Sequence, residues 1–571
     1  MLRFDIDHLD QRFGAWRLQQ TLADMAAQNI VTRIWARDHT VWKSEDREIS
    51  NRLGWLHSPD EMVPHLAELE RFVQQLRDEG FTHAVLLGMG GSSLASEMFR
   101  NVFDVRAGFL DLIVLDSTDP GAVLDVQRAV DLGRTLFVVS TKSGGTVETL
   151  SAFKYFYNQM AAISGNGKGM GRHFIAITDP GSPLAELARR YQFRATFLNN
   201  PDIGGRYSAL SYFGLLPAAL IGLDLSLVLA RGKEMAEACG PQVAPQDNPG
   251  AQLGTIIGRA VLMGRDKLTF VISPSLASFG DWVEQLIAES TGKEGRGILP
   301  VVGEPLGEAR LYAHGDRLFV QLALEGEPAE DAALMQLERA GQPVVRIVLR
   351  DRYDVGAQFF LWEMATAVAG HLLGINPFDQ PNVEAAKALA RKVVAEYAAR
   401  GTIPSDSPVL VENGITLYAP NPHLADSATR LADALDAFVA QARPRDYVAL
   451  HAYLQPTSAT HARLQALRLK LRDRLCLATT LGYGPRFLHS TGQLHKGDAG
   501  KGLFIQLTAD SAYDVPIPDE AGRPEASLSF GVLKMAQALG DYQALLNVGR
   551  RVIRLHLEDV SEGLDYLHRC L

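Results

Sequence analysis

The residue types that could hold an anion or move a proton in this chain fall into a few short stretches. Leu136–Thr149, LFVVSTKSGGTVET, passes from four apolar residues into hydroxyls, Lys142 and two glycines, then into a helical pattern. A strand ending in hydroxyls and glycines at a helix start suits phosphate. Free N–H groups and the positive end of the helix favour an anion, and glycine lets the backbone come close. Thr141, Ser143 and Thr146 add donors, and Lys142 adds charge. The nucleotide-loop order GxxxxGK[ST] is absent, so a small phosphorylated metabolite is the natural ligand reading, and taken alone the stretch also reads as an ordinary strand–turn–helix with a polar loop. A second loop of this kind, Gly88-Met89-Gly90-Gly91-Ser92-Ser93, follows the apolar run Ala84–Leu87.

Three further stretches carry charge that could do chemistry. Asp202-Ile203-Gly204-Gly205-Arg206-Tyr207-Ser208 is a turn presenting one arginine, whose fixed fork of donors fits a phosphate or a developing oxyanion. Taken alone, it also reads as a surface arginine after a glycine turn. In Trp282–Ser290, Gln285 and Glu289 stand four apart on one helical face, and Gly292 and Lys293 end the helix. A carboxylate there is either solvated or, if it faces a pocket, a base tuned by burial. Phe378–Lys387, FDQPNVEAAK, reads as a turn and helix with Asn382 as N-cap. Lys387 in the first turns opposes the helix dipole, so it is either answered by a ligand or simply exposed.

The elements that must position these residues are those of an α/β protein. With 571 residues, 47% hydrophobic and 21% charged, the chain has apolar material for more than one domain. A net charge of −10 argues against nucleic acid or an anionic membrane as partner, so any anion site is made locally. Cys239, Cys476 and Cys570 lie too far apart in sequence for a metal spacing or a disulfide framework, which fits a reducing cytoplasm. Asp5, Asp7 and Asp10 stand where a signal peptide would be basic and then apolar. The most apolar window, Leu215–Ala230, holds Pro217 and Asp224 and predicts a buried helix, not a membrane span.

Short apolar runs at Ala84–Leu87, Leu112–Leu115, Leu136–Val139, Phe174–Ile177 and Ala195–Leu198, separated mostly by helix-length segments, predict a doubly wound parallel sheet. Leu268–Ile272, Ile298–Val302, Leu318–Leu322 and Val344–Leu349, with helical patterns at Phe279–Glu289 and Ala357–Leu373, predict a second. The expected organisation is a helical arm over 1–80, α/β domains over 81–245 and 246–400, and a C-terminal region over 401–571 packing on the second domain. The last region opens with the linker TIPSDSP (402–408) and carries a polar cluster from Pro485 to Gly497.

Taken together, GMGGSS (88–93), TKSGGT (141–146), GGRYS (204–208), ESTGK (289–293) and FDQPNVEAAK (378–387) resemble the motifs of the glucose-6-phosphate isomerase family, in its order. IWARDHTVWK (34–43), NRLGWL (51–56) and GPRFLHSTGQLHKG (484–497) are similar to the isomerase half of the bifunctional transaldolase/glucose-6-phosphate isomerases. The resemblance implies two sugar-isomerase (SIS) domains and aldose–ketose interconversion through a cis-enediol, a step of glycolysis and gluconeogenesis. It implies no metal or organic cofactor and a cytoplasmic homodimer, with any transaldolase on a separate chain. By residue, it implies that Gly91, Ser92, Thr141, Lys142, Ser143 and Thr146 hold the phosphate and that Glu289 moves the proton. Arg206 would stabilise the enediolate. Gln285, Gln380 and Lys387 would line the sugar, with Lys387 assisting ring opening.

This sequence departs from the family in three places. Asn382 stands where the family has glycine, and Thr141 where serine is usual. The ring-opening histidine of the family lies between the glutamate and the lysine, where this chain offers His314 in YAHGD. The later HSTGQLHKG looks more like the family's histidine motif, so His489 is the expected residue and His314 the alternative. Two other readings compete: a non-catalytic sugar-phosphate sensor, and an isomerase of another phosphosugar such as mannose 6-phosphate or an amino sugar.

Overall fold

Central strands of a parallel sheet are covered on both faces, so they must be apolar along their whole length. The runs named above meet that demand. A computed structural model describes residues 3–571 apart from 165–168, 329, 405–406 and 421–428. Part of the TIPSDSP linker therefore lies outside the described residues.

β1 (His83–Leu87), β2 (Asp111–Leu115), β3 (Thr135–Ser140), β4 (Phe174–Thr178) and β5 (Ala195–Leu198) form an all-parallel sheet in the order β2-β1-β3-β4-β5. The winding reverses between β1 and β3, and ligands bind outside the carboxyl ends of strands at such a switch point. Leu87 pairs with Val139, so the GMGGSS and TKSGGT loops leave the sheet side by side. β6 (Lys267–Ile272), β7 (Leu299–Val301), β8 (Arg317–Leu324) and β9 (Val344–Leu349) form a second parallel sheet, β7-β6-β8-β9.

The C-terminal region builds a third sheet of its own. It comprises β10 (Leu410–Glu412), β11 (Ile415–Tyr418), β12 (Tyr447–Tyr453), β13 (Ala478–Tyr483), β14 (Gly502–Ala509) and, after a small ribbon of β15 (Pro516–Ile517) and β16 (Leu528–Ser529), β17 (Arg551–Leu557). Its core, β13-β12-β14-β17, is parallel, and β11 and β10 add antiparallel strands at one edge. Numbered within each unit, the three cores share the order 2-1-3-4. The same winding thus occurs three times.

The helices Pro249–Leu262 and Val355–Leu373 pack together in the core shared by the first two sheets. The N-terminal helical arm is pinned to this core by its tryptophans. Trp35 Nε1 donates to Cys239 O and Trp42 Nε1 to Ala367 O, both at 2.8 Å, while Trp55 stacks on Tyr207. The apolar window 215–230 is not one helix. Tyr212–Leu220 ends at Ile221-Gly222, and Asp224 accepts from Leu227 N to start Leu225–Ala238. The first piece is buried along its whole length and the second on one face. Among the described residues, no helix is long and apolar enough to cross a membrane.

Candidate active site

The two glycine–hydroxyl loops adjoin a third, the 3₁₀ turn Gly205–Tyr207 that carries Arg206. A Cβ on Gly91 would lie 2.1 Å from Gly205 O, so only glycine lets the loop after β1 touch that turn. Gly91→Ala is expected to destabilise the fold by about 3 kcal/mol or more, the upper range for overpacking. A thermal melt within a degree of the native protein would show that the contact yields without cost.

Arg206 is 3% exposed and every reach of its fork is used. Nε donates to Ser290 Oγ at 2.8 Å, and the outer nitrogens donate to Gln380 Oε1, Pro377 O and Asp379 O, each at 3.0 Å. Its Nη1 also stands 3.0 Å from Glu289 Oε1. The reading of Arg206 as a surface residue is thereby excluded. Glu289 ends the face of the Phe279–Thr291 helix, 12% exposed at its side chain, so it is not the solvated carboxylate that its position could have made it. Gln285, one turn earlier, donates from Nε2 to Glu289 Oε2 at 2.9 Å and to His489 O at 2.8 Å, linking the glutamate to the C-terminal unit.

His489 enters from the 3₁₀ turn Arg486–His489 after β13. Its Nε2 lies 3.0 Å from Glu148 Oε1, which also accepts from Gln537 Nε2 at 2.7 Å. Thr118 Oγ1 donates to Gln537 Oε1 and fixes that amide. Burial alone would raise the Glu148 carboxyl, but the opposing pull of His489 holds it below the usual glutamate range. His314 stands elsewhere, before the amino end of β8, with its carbonyl accepting from Arg445 Nε.

Between the loop after β3, the Val383–Arg400 helix and the His489 turn lies a cavity of about 440 Å³. Ser143, Thr146, Glu148, Lys387 and His489 line it. Thr141 and Thr146 share a 2.7 Å hydrogen bond between their hydroxyls, and Ser143 is exposed beside them. Gly144 has φ of +72°, and a Cβ there would meet Leu184 N at 2.6 Å, so the loop needs glycine at this bend. Ser92 is buried, and its carbonyl accepts from Ser140 Oγ.

The two lysines of the sequence reading are both paired within the chain, and Lys387 is the exposed one. Lys142 is paired with Asp179 and donates to Pro201 O, so its charge is already met within the first unit. Lys387 is 44% exposed and lies 3.1 Å from Glu384, whose place in the first helical turn offsets the lysine's conflict with the dipole. Asn382 occupies the N-cap position but makes no side-chain cap. Its N–H donates to Gln493 Oε1 and its Oδ1 accepts from Gln493 Nε2, so the departure from glycine is used on the C-terminal unit.

Residues 72–296 match the family model described as phosphoglucose isomerase. A glucose-6-phosphate isomerase of Carboxydothermus hydrogenoformans is 30% identical over 402 residues, covering 60% of this chain and 85% of the relative. The chain belongs to the phosphoglucose isomerase family. A glucose-6-phosphate isomerase of Thermus thermophilus is also 30% identical, over 61% of this chain and 91% of its own length. Among solved structures, a hypothetical protein of Thermus thermophilus aligns with a TM-score of 0.59 and 26% identity, over 69% of this chain and all of its own. A glucose-6-phosphate isomerase of Chlamydia trachomatis, 21% identical, shares the fold with a TM-score of 0.51, over 65% of this chain and 80% of its own.

For a phosphoglucose isomerase of this architecture, sequence reasoning missed several residues around the site. Glu148 reads as an ordinary acidic first-turn residue favoured by the helix dipole, and only folding brings it to His489. Gln493 and Gln537 carry no signal beyond standing in helical segments of the C-terminal region. Lys293 looked like a helix terminator. It is 1% exposed and donates to Asp379 O at 2.5 Å and Oδ1 at 2.7 Å, which fixes the FDQ turn. Burial, then the nearby Arg206 charge, lowers it to about 8.

Proposed function

We propose that this chain interconverts glucose 6-phosphate and fructose 6-phosphate through a cis-enediol, with Glu289 as the proton carrier. The observation that carries the reading is the Glu289–Arg206 pair, 3.0 Å apart and largely sheltered from water, on a helix that Gln285 ties to the His489 turn. The loop after β3, with Gly91 and Ser92 beside it, would hold the phosphate by hydroxyls and backbone N–H groups. Binding the phosphate, remote from the reacting carbons, orients the sugar without charging the reaction centre.

One carboxylate can take the proton from C2 and return it to C1 on the same face. Negative charge then develops on the enediolate oxygens beside a fixed guanidinium. Gln285 and Gln380 would line the sugar, and Gln285 Oε1, buried and with no donor among the described residues, is a natural acceptor for a sugar hydroxyl. His489, oriented by Glu148, and Lys387 would serve ring opening. On the same reading the enzyme is a cytoplasmic homodimer that needs no metal or organic cofactor.

The test is conversion of fructose 6-phosphate by the purified, metal-free protein, with mannose 6-phosphate assayed beside it. Glucose 6-phosphate as the main product is expected. Binding without turnover would favour a sugar-phosphate sensor, and faster turnover of mannose 6-phosphate would reassign the substrate. Replacing Thr141 and Thr146 by valine keeps shape and deletes donors to a dianion. Hydrogen bonds to charged groups contribute about 1.5–3 kcal/mol, so KM is expected to rise roughly tenfold or more with kcat little changed. An unchanged KM would move the phosphate site elsewhere.

A further inference from the structure

His489 comes from the third sheet, while Glu289 comes from the second unit and the glycine–hydroxyl loops from the first. Some contact must set the histidine's place across these boundaries. Three residues before it, Arg486 reaches carboxylates of both other units. Its guanidinium pairs with Glu97 on the helix that follows GMGGSS, stands 3.1 Å from Asp116 after β2, and lies 3.4 Å from Asp281. Asp281, Gln285 and Glu289 fall at i, i+4 and i+8 on one helix face. They meet, in turn, Arg486, the His489 carbonyl and Arg206. The His489 turn is therefore laid along the helix that carries the glutamate and held at both ends. Beneath it, Phe487 is 2% exposed and packs on His451 with ring centres 4.1 Å apart.

The carboxylates do not suit one another without the arginine. Glu97, Asp116, Asp281 and Glu284 line one cleft of about 510 Å³ where the three sheets meet. Burial raises Asp116 to about 6, and Arg486 is the first of the charges that oppose this. A planar, permanently charged guanidinium spreads its donors in fixed directions towards three separate carboxylates, where a lysine offers one compact point charge.

We propose that Arg486 is a positioning residue for His489, fixing the histidine for ring opening by an ion-pair clamp to the first and second units. The proposal rests on the reading of His489 as the ring-opening acid. In that step the anomeric hydroxyl of fructose 6-phosphate releases its proton to solvent and the C2–O5 bond breaks with its pair going to O5. A protonated His489 then supplies the proton that O5 takes up, and C2 becomes a carbonyl.

The test compares fructose 6-phosphate with 5-deoxyfructose 6-phosphate, which lacks the ring oxygen and is always open. Arg486→Gln is expected to lower kcat/KM on fructose 6-phosphate about tenfold to a hundredfold, the cost of misplacing a catalytic group. Turnover of the open-chain sugar should stay at the native level. Equal losses on both sugars, or no loss on either, in a folded variant would overturn the proposal. Should Arg486→Gln fail to fold, Asp281→Asn removes one arm of the clamp and should show the same selectivity at smaller size; equal loss or no loss there also overturns it. His489→Ala is the control. If it slows both sugars equally, the ring-opening reading of His489 fails. If it is selective while the clamp variants are not, Arg486 has no positioning role.

Discussion

Glu289→Gln is expected to lower kcat by about 10³–10⁴-fold while fructose 6-phosphate still binds within a few-fold of the native protein. The size follows from what is removed. Abstraction of a carbon-bound proton needs a base at that carbon, and among the described residues no second carboxylate pairs with Arg206 to take over. The sparing of binding follows from the geometry. Glutamine keeps the shape, leaves Arg206 its bonds to Ser290, Gln380, Pro377 and Asp379, and leaves Gln285 its bond to His489 O. Single-turnover kinetics and direct titration with fructose 6-phosphate measure the two quantities separately. Exchange of a C1 proton of fructose 6-phosphate with solvent should vanish in parallel with turnover if both pass through this one carboxylate. Native-like turnover in the variant would keep the isomerase and discard this base.

The sequence revealed more of the first two sheets than of the third, and the reason is local. β1, β3 and β4 read as AVLL, LFVV and FIAI because each is covered on both faces by apolar packing. In the third sheet the same topology carries buried polar side chains: His451 in β12, Gln506 in β14 and Arg554 in β17. Each interrupts the apolar run that marks a central strand. The site divides in a similar way. Arg206, Glu289 and the two loops, proposed above as parts of the site, stand in contiguous motifs that can be read along the chain. The partner of Lys142 was not legible, since Asp179 arrives at the end of β4, 37 residues later. Glu148 and His489 are 341 residues apart, and Arg486 and Glu97 are 389 apart. No periodicity within either segment encodes those meetings. They come from the packing of one sheet unit against another.

Arg206→Lys is the second large effect, and it separates charge from geometry. The lysine keeps one positive charge but has a single nitrogen where the fork now reaches Glu289, Ser290, Gln380 and two carbonyls. Acceptors left buried without donors cost about 1–3 kcal/mol each, so the melting temperature is expected to fall. Removing the charge altogether, as in Arg206→Ala, would break a buried pair and cost roughly 3–5 kcal/mol. The kinetic loss has a different source. If the guanidinium acts on charge that exists only in the enediolate, kcat should drop about 10²–10³-fold, the usual cost of losing one such donor. KM should move far less, because the ground-state sugar lacks that charge. The assay belongs at a temperature where the variant is fully folded, so that stability and chemistry are read apart. A KM that rises with kcat preserved would mean that Arg206 binds the ground-state sugar instead. The contest between those outcomes turns on where the charge develops, and on the proposed reading a fixed, buried cation 3.0 Å from the Glu289 carboxylate meets charge that appears only in the enediolate.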